Sequence, residues 1–341
     1  MRKKIIISIV IVILLFGIVA TFFAHSIVFS NNISPQASQL IYLEKDASFD
    51  DMLYVLEKEN ILKNKQTFQW VAKWKSFTRV RSGRYRINQG MSNNEIVNML
   101  RSGRQEAVSF TFNNIRTKEQ FVKRVAEQLN IHPDSLLSFL NDEEKLSLYH
   151  VNPETALSIF IPNTYQIWWD ISVDEFVEKM YSEYQKFWTE ERLQKAEKIK
   201  LSPTEVIILA SIVEEENHRT DEQSRIAGVY INRLVIGMLL QADPTIKFAL
   251  QDFGRTRILL SDLKTESPYN TYLHAGLPPG PIRIPSSTCV DAVLNYEKHN
   301  YLYMCAKDDL SGYHNFAVTH SQHIANAQKY QNALNKRNIK K

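Results

Sequence analysis

The chain has 341 residues, of which 44% are hydrophobic, so it is long enough for a buried core and a second domain and is not a disordered chain. Its 41 lysine and arginine residues exceed its 37 aspartate and glutamate residues by four, an excess too small and too spread out for a nucleic-acid-binding protein. Ten glycines, eleven prolines and two cysteines exclude collagen-like and low-complexity chains and a disulfide scaffold.

The first residues predict a membrane anchor. A short basic stretch at residues 1–4 precedes an uncharged apolar run at residues 5–23, which is long enough to span a bilayer. A cleaved secretion signal is the alternative, but the apolar region of such signals is only roughly 7–15 residues long, and Ala20 and Ala24 make a poor cleavage site. Because positive charge stays on the cytoplasmic side, we expect the rest of the chain to lie on the extracytoplasmic side of the membrane.

Composition and periodicity predict an α+β chain with a small α/β domain and a larger mixed domain after the anchor. The expected segments are a cytoplasmic tail at 1–4, a transmembrane anchor at 5–25, a linker at 26–40, the small domain at 41–105, the larger domain at 106–336 and a basic tail at 337–341. In the small domain, hydrophobic spacing and capping residues predict a strand at 41–43, helices starting at 48, near 68 and at 93, and a strand at 82–87.

The larger domain alternates strands and helices and then loses regularity. Its predicted elements are strands at 108–112 and 301–305 and helices at 117–129, 173–198, 203–216, 221–237 and 319–336. Between residues 241 and 285 the chain is rich in proline and polar turn residues. Long irregular stretches inside a globular domain usually belong to a functional site, so we expect this segment to form part of one.

One predicted helix carries the clearest chemical signal. Ser202-Pro203-Thr204-Glu205 is a capping box with proline at the first helical position, and the apolar residues after it predict a helix buried on every face. It ends in Glu214-Glu215-Glu216. At about 100° per residue, Glu216 and Glu214 lie about 70° and 90° from the centre of one apolar stripe, whereas Glu215 lies about 170° away. Burial raises the pKa of a carboxyl group, so Glu214 or Glu216 is a candidate proton donor, and a solvated helix end is the alternative.

The order of motifs resembles the MltG (YceG-like) endolytic murein transglycosylases. The resemblance covers roughly residues 110–330 and rests on LASIVEEEN, YINRL, IGMLLQADPT, YNTYLHAGLPPGPI and a late HNF. The segment at 43–102 looks like the small LysM-like subdomain that precedes the catalytic domain in this family, and the anchor is similar too. Two departures are Asn217, where a threonine is frequent, and Ser158-Ile159, where an E-G pair is frequent.

The resemblance implies which residues form the site. The second glutamate of the family's E-x-E element falls on Glu216, which is the expected catalytic residue, with Glu214 and Asp243 as supporting candidates. The substrate-binding residues expected from the matched motifs are Gln241, Thr245, Asn270, Tyr272, Tyr165, His314 and Asn315. For Gln241, Asn270 and Tyr272 the residues alone are equally consistent with turn or capping chemistry, and for Asp243, which precedes a proline, a turn cap is the simpler interpretation.

The resemblance also implies the reaction. Glu216 would protonate the oxygen that bridges N-acetylmuramic acid and N-acetylglucosamine, and its carboxylate would then take the proton from the muramyl C6 hydroxyl, giving a 1,6-anhydro end. No cofactor is expected. The implied partners are peptidoglycan glycan strands, the inner membrane and the penicillin-binding proteins of cell-wall synthesis, with no nucleic acid. Two alternatives are a non-catalytic peptidoglycan-binding scaffold and a muramidase that uses Asp243 as its second carboxylate.

Three other features have simpler interpretations. His314, His320 and His323 lack a paired acid or cysteine at ligand spacing, so no metal site is expected. Cys289 and Cys305 form either a disulfide or, with better support from the apolar run that ends in Cys305, two free thiols. Arg233 lies among apolar helix residues, and we expect it to pair with one of the acids.

Overall fold

The structure is a computed structural model that describes residues 2–255 and 257–336. It divides into two compact units. The first contains the chain up to residue 110 together with 128–130 and 165–171, and the second contains 111–127, 131–164 and the chain from 172 onward. The predicted basic tail at 337–341 lies outside the described residues. Helices and two-stranded sheets occur in the same chain, so the predicted α+β class is confirmed.

The first unit begins with a long apolar helix, α1. After α1, two helices lie between the strands of an antiparallel pair, and a further helix follows. The elements are α1 (Arg2–Phe29), β1 (Leu40–Leu43), α2 (Phe49–Lys58), α3 (Lys65–Trp74), β2 (Gly83–Arg86) and α4 (Asn93–Ser102). Ser48 and Ser92 form capping boxes that start α2 and α4, and Gly103 ends α4 in the left-handed conformation that glycine adopts most easily. Ile41, Met52 and Phe68 are among the buried side chains of its core.

The helix α1 is long and apolar enough to cross a bilayer, by length and composition alone; a secretion signal would pass the same test. It extends to Phe29, beyond the predicted end of the anchor at 25, and its last turn packs on the core of the first unit through Ile27 and Val28. Ile33 is only 1% exposed and bridges to Leu62. The start of the predicted linker at 26–40 is therefore packed, because its apolar side chains contact the hydrophobic core of the first unit.

The second unit is mainly helical. Two strands, β3 (Val108–Thr111) and β4 (Thr164–Ile167), have three of their four residues in the first unit. The elements of the second unit are α5 (Lys118–Ala126), α6 (Pro133–Phe139), α7 (Glu143–Ser147), α8 (Val173–Phe187), α9 (Glu190–Lys198), α10 (Pro203–Glu216), α11 (Thr220–Val235), α12 (Asp243–Ala249), α13 (Ser287–Leu294), β5 (Tyr303–Ala306), β6 (His314–Ala317) and α14 (His320–Lys336). Short 3₁₀ helices occur at Ala156–Ile159 and Asp262–Lys264. β3 pairs with β4, and β5 pairs with β6 in antiparallel register, with Ala306 opposite His314.

Two predictions about this part of the chain were wrong. The single helix predicted at 173–198 is two helices, because Thr189 accepts a hydrogen bond from the Arg192 amide and so caps a new helix, α9. The segment at 241–285, predicted to be irregular, contains α12. Pro244 is compatible with this helix because proline is tolerated in the first turn, where its missing N–H has no helical partner.

The helix α10 is the centre of the second unit. It starts with the predicted capping box at Ser202 and Glu205, and every residue from Val206 to Val213 is buried. It packs against α11 and α13 in one hydrophobic core. The prediction of a helix buried on all faces is confirmed. As a result, the three glutamates at its C-terminal end extend from a helix whose position is fixed by the core, and Glu214 is itself buried.

Candidate active site

A cavity of about 500 Å³ lies in the second unit at the C-terminal end of α10. Its walls come from the end of α10, from α11, from the segment that leads into α12, from the hairpin β5–β6 and from α14. The polar side chains that line it are Glu216, Tyr230, Arg233, Gln241, Asp243, Tyr272, Tyr303, His314, His320, His323 and Tyr330. Residues far apart in the sequence therefore meet around a single helix end.

Glu216 is the only one of the three consecutive glutamates that lines this cavity. The Tyr230 hydroxyl donates a hydrogen bond to Glu216 Oε2 over 3.2 Å. Burial raises the pKa of the Glu216 carboxyl, and the neighbouring Asp243 charge raises it further. The His314 charge, the Tyr230 hydrogen bond and the Lys247 charge oppose this rise without cancelling it. The carboxyl therefore keeps its proton to a higher pH than a solvated glutamate does, as a general acid must.

The other two glutamates are held by cations on the opposite side of the helix end. Glu214 is 9% exposed, accepts a hydrogen bond from the Ser286 amide (3.0 Å) and lies 3.2 Å from Arg283 Nε. Glu215 Oε1 accepts from Arg116 Nε (2.9 Å) and from Arg283 Nη1 (2.8 Å). Successive residues on a helix diverge by about 100°, so the three carboxylates meet three different environments. Glu214, the expected supporting acid, is placed in an ion pair away from the cavity.

Asp243 and Tyr272 form a second polar pair in the cavity. The Tyr272 hydroxyl donates to Asp243 Oδ1 over 2.6 Å. Burial and the nearby carboxylates raise the pKa of Tyr272 well above its usual range, so its hydroxyl stays protonated and remains a donor. Gln241, two residues before Asp243, also lines the cavity and is exposed. These three expected site residues therefore lie together with Glu216.

Thr245 and Asn270 are expected site residues that instead brace the loops behind the cavity. Both are completely buried. Thr245 Oγ1 donates to the Ala242 carbonyl (2.7 Å) and lies 2.9 Å from Thr271 Oγ1. The Asn270 side chain donates to two backbone carbonyls, the nearer at 2.8 Å, and accepts from the Tyr272 amide (2.9 Å). Because buried polar groups need internal partners, these side chains are fully used in holding Gln241, Asp243 and Tyr272 in place.

The remaining expected residues lie in three different environments. Tyr165 belongs to β4 in the first unit, is 7% exposed and is not among the residues that line the cavity. Asn315 lies on β6 opposite Cys305 and does not line the cavity either. His314 does line it, and its Nδ1 lies 2.8 Å from Glu222 Oε2.

Cys305 is a free thiol in the cavity wall, and Cys289 is a free thiol in the core.

Sequence reasoning missed two residues and misjudged a third. Tyr230 lies within the helix predicted at 221–237, and the signal there is its hydroxyl, which needs a hydrogen-bond partner when it is buried. Glu222 falls four residues before Ile226, on the buried stripe of α11, and an acid on an apolar stripe is the signal that was overlooked. Arg233 was expected to pair with an acid, but its guanidinium donates to the carbonyls of Leu302 (2.7 Å) and Leu240 (2.5 Å).

Among the described residues, no group of three or more histidine, cysteine, aspartate or glutamate side chains is arranged to hold a metal ion. One carboxyl with a raised pKa, a hydroxyl donor on it and further polar side chains around an open volume can bind a polar ligand and move a proton.

Comparison with known proteins gives consistent results. The model of the YceG-like family matches residues 41–329. The chain is 28% identical over 316 residues to the endolytic murein transglycosylase of Bacillus subtilis, covering 87% of this chain and 86% of that protein. It is 27% identical to the endolytic murein transglycosylase of Streptococcus pneumoniae strain D39, of which it spans 56%. The crystal structure of a yceG-like protein from Listeria monocytogenes, 27% identical, superposes with a TM-score of 0.56 and covers 84% of this chain and 97% of that one.

Proposed function

The chain belongs to the YceG-like family, and from that premise we propose that it is an endolytic murein transglycosylase that acts on peptidoglycan from an anchor in the bacterial cell membrane. The observation that carries the proposal is Glu216, a single carboxyl with a raised pKa at the end of a buried helix, facing an open cavity. A transglycosylase needs one such group, whereas most hydrolases of glycans need two carboxylates.

The proposed reaction uses Glu216 twice. Its protonated carboxyl gives a proton to the oxygen between N-acetylmuramic acid and N-acetylglucosamine, and the bond from C1 to that oxygen breaks. The Glu216 carboxylate then takes the proton of the muramyl C6 hydroxyl as this oxygen bonds to C1, so the product is a 1,6-anhydro end and no water is consumed. Burial supports both steps because it raises the pKa of Glu216, so the carboxyl keeps the proton that it gives in the first step and its carboxylate is a stronger base in the second.

We assign the glycan contacts to the polar side chains that line the cavity. Gln241, Tyr272 and His314 have amide, hydroxyl and imidazole groups of the kinds that hydrogen-bond acetamido and hydroxyl groups. Thr245 and Asn270 act through the loops that they brace. No contact in the cavity supports the same role for Asn315.

The membrane anchor is proposed from α1. The three basic residues before its apolar run favour a cytoplasmic N-terminus and an extracytoplasmic catalytic unit. Asn93 Nδ2 donates to the Ile27 carbonyl (2.9 Å), so the end of α1 is hydrogen-bonded into the first unit, which supports an uncleaved helix. We propose that the first unit is LysM-like, from its two helices between two paired strands, and that the penicillin-binding proteins of cell-wall synthesis are partners.

A muramidase is the second candidate, because Asp243 lines the same cavity as Glu216 and could act as a second carboxylate. The Tyr272 hydroxyl already donates to Asp243, and its carboxylate raises the pKa of Glu216. These contacts favour a supporting electrostatic role for Asp243 over that of a nucleophile or base.

The test is mass spectrometry of the fragments that the purified full-length chain releases from glycan strands. Glu216→Gln and Asp243→Asn are assayed beside it, and circular dichroism checks that each variant is folded. Anhydromuramyl ends that are absent with Glu216→Gln and still made by Asp243→Asn support the transglycosylase. Reducing ends that require both carboxylates would establish the muramidase instead. Absence of cleavage by the unaltered chain would contradict both enzymes and favour a peptidoglycan-binding scaffold.

A further inference from the structure

Another carboxylate, that of Glu222, is buried beside the cavity and takes no part in the proposed reaction. Glu222, on the first turn of α11, is 5% exposed. Its Oε1 accepts from the His314 amide (2.9 Å), and its Oε2 accepts from Asn217 Nδ2 (2.6 Å) and lies 2.8 Å from His314 Nδ1. Two of these three contacts are to one histidine. A buried carboxylate is costly unless it is paired, so this arrangement needs a reason.

These contacts define how the His314 ring is held. A carboxylate only accepts hydrogen bonds, so the ring nitrogen that contacts Glu222 must be the donor, Nδ1–H. The backbone amide of His314 donates to the same carboxylate, and His314 is the first residue of β6, which pairs with β5. The ring is therefore clamped at one edge, and Nε2 is the nitrogen left for the cavity that His314 lines.

Asn217 completes the clamp. It is 8% exposed and follows Glu216 directly, at the C-terminal cap of α10. Its Nδ2 also donates to the Gly312 carbonyl (3.2 Å), and its Oδ1 accepts from the Arg219 amide (2.9 Å). The same side chain thus ties the end of the catalytic helix to Glu222 and to the loop before His314. A shift of the histidine would have to break contacts at the residue next to Glu216.

We infer that Glu222 is a positioning residue, which holds His314 as an ion-paired imidazolium whose Nε2–H faces the cavity opposite the Glu216 carboxylate. The inference rests on the proposed function, because its consequence concerns the acid of that reaction. When Glu216 has given its proton to the bridging oxygen, the His314 cation stabilises the carboxylate that remains. The His314 cation thereby opposes the rise in the pKa of Glu216 that burial causes.

Other charged and titratable groups around Glu216 come from every element of the cavity wall. They are Tyr230 and Arg233 on α11, Asp243 and Lys247 on α12, Tyr272 in the following loop, Tyr303 and Cys305 on β5, and His320, His323 and Tyr330 on α14. Asp243 opposes the carboxylate form of Glu216, whereas Lys247 and His314 favour it, and of these two cations the effect of His314 is the larger. Loss of the His314 charge is therefore expected to be visible in the pH profile.

The experiment measures kcat and kcat/KM for anhydromuramyl ends from pH 4 to pH 10 with the full-length chain. Glu222→Gln keeps the shape of the side chain and removes its charge. Without the Glu222 charge, His314 is no longer held as a cation, and losing this nearby cation raises the pKa of Glu216. Because Glu216 must be protonated to act as an acid, the alkaline limb of kcat/KM is expected to move to higher pH. We expect kcat to fall roughly 10- to 100-fold, the loss typical of removing a carboxylate that orients a metal-ligating histidine.

Three further variants separate positioning from folding. His314→Gln should move the limb in the same direction, and adding Glu222→Gln to it should change nothing more, because both act through one charge. Glu222→Asp keeps the charge and should keep the limb in place while lowering kcat. Asp221→Asn is the matched control: this neighbouring carboxylate on α11 is exposed and accepts from the Tyr313 hydroxyl (3.0 Å), and its loss should leave the profile unchanged.

The inference is overturned if Glu222→Gln lowers kcat equally at every pH, since that is the signature of a structural role alone. It is also overturned if the effects of the Glu222 and His314 variants add. If Glu222→Gln does not fold, the test rests on His314→Gln. An alkaline limb of kcat/KM that does not move in His314→Gln then contradicts the inference. Failure of the proposed function is a separate result, because the unaltered chain would release no anhydromuramyl ends, and the inference would fall with it.

Discussion

The hydroxyl of Tyr230 provides the sharpest test of how the site controls its acid. Tyr230→Phe removes the hydroxyl that donates a hydrogen bond to Glu216 and leaves the ring in the core. This hydrogen bond lowers the pKa of Glu216 against the effect of burial. Without it the carboxyl holds its proton to higher pH, so the alkaline limb of kcat/KM should move upward.

The size of the shift follows from the geometry. Hydrogen bonds to charged groups contribute about 1.5–3 kcal/mol, and the 3.2 Å separation between Tyr230 and Glu216 is longer than the usual O–H···O distance, so the lower value applies. Tyr230 is 1% exposed, which leaves water little access to replace the hydroxyl. About 1.5 kcal/mol corresponds to a limb shift of about one pH unit. The carboxylate formed after proton transfer loses the same interaction, so kcat on the acid plateau should fall roughly tenfold.

The assay is the pH dependence of anhydromuramyl end formation by the full-length chain. Tyr149→Phe is the matched control, because its hydroxyl lies 3.4 Å from a carboxylate, Glu178, that does not line the cavity. Its profile should match that of the unaltered chain. A limb that stays in place in Tyr230→Phe, or moves to lower pH, would refute the assignment of the limb to Glu216 or the role of this hydrogen bond.

Three further predictions follow from the same contacts. Asp243→Asn removes a charge that raises the pKa of Glu216, so the alkaline limb of kcat/KM should move to lower pH in the same assay. Glu216→Gln should raise the thermal unfolding temperature at about pH 8 and not at about pH 4. Because the pKa of Glu216 is raised in the folded state, the carboxyl's contribution to folding stability is complete below its unfolded-state pKa and is lost as the pH rises. Each kcal/mol of stability that the substitution recovers is worth about 2–4 °C by calorimetry. Gly280→Ala should destabilise the fold by about 1–3 kcal/mol in a denaturant titration, because its Cβ would lie 2.0 Å from the Glu154 carbonyl oxygen, whereas Gly254→Ala, with its nearest neighbour at 3.9 Å, should have little effect.

Several elements could be predicted from the sequence because their causes are local. The apolar run of α1 and the capping box and proline that start α10 each depend on residues within a few positions of one another. The family resemblance followed from ordered motifs and is confirmed by the match at 41–329. The break between α8 and α9 was missed although its cause, a capping Thr189, is also local.

The order of the glutamates illustrates the limit of local reasoning. Helical periodicity gave Glu214 and Glu216 similar angles to one apolar stripe, so both stayed candidates. The structure separates them because Arg283 and the Ser286 amide, roughly seventy positions later in the chain, lie on the side of Glu214. Periodicity states the direction in which a side chain leaves its helix. What lies in that direction depends on which other segments pack there.

The same reason explains the residues that sequence reasoning missed and those whose surroundings it could not predict. Asn270 and Thr245 have side chains suited to a glycan, and only their complete burial shows that they brace loops. Glu222 and His314 are far apart in sequence and meet because β6 brings His314 to the first turn of α11. The sequence by itself determined the family, the membrane-anchor candidate and the buried helix that ends in Glu216. Tertiary packing decided which carboxyl faces the cavity and which partners set its protonation, because those contacts join segments that no local pattern relates.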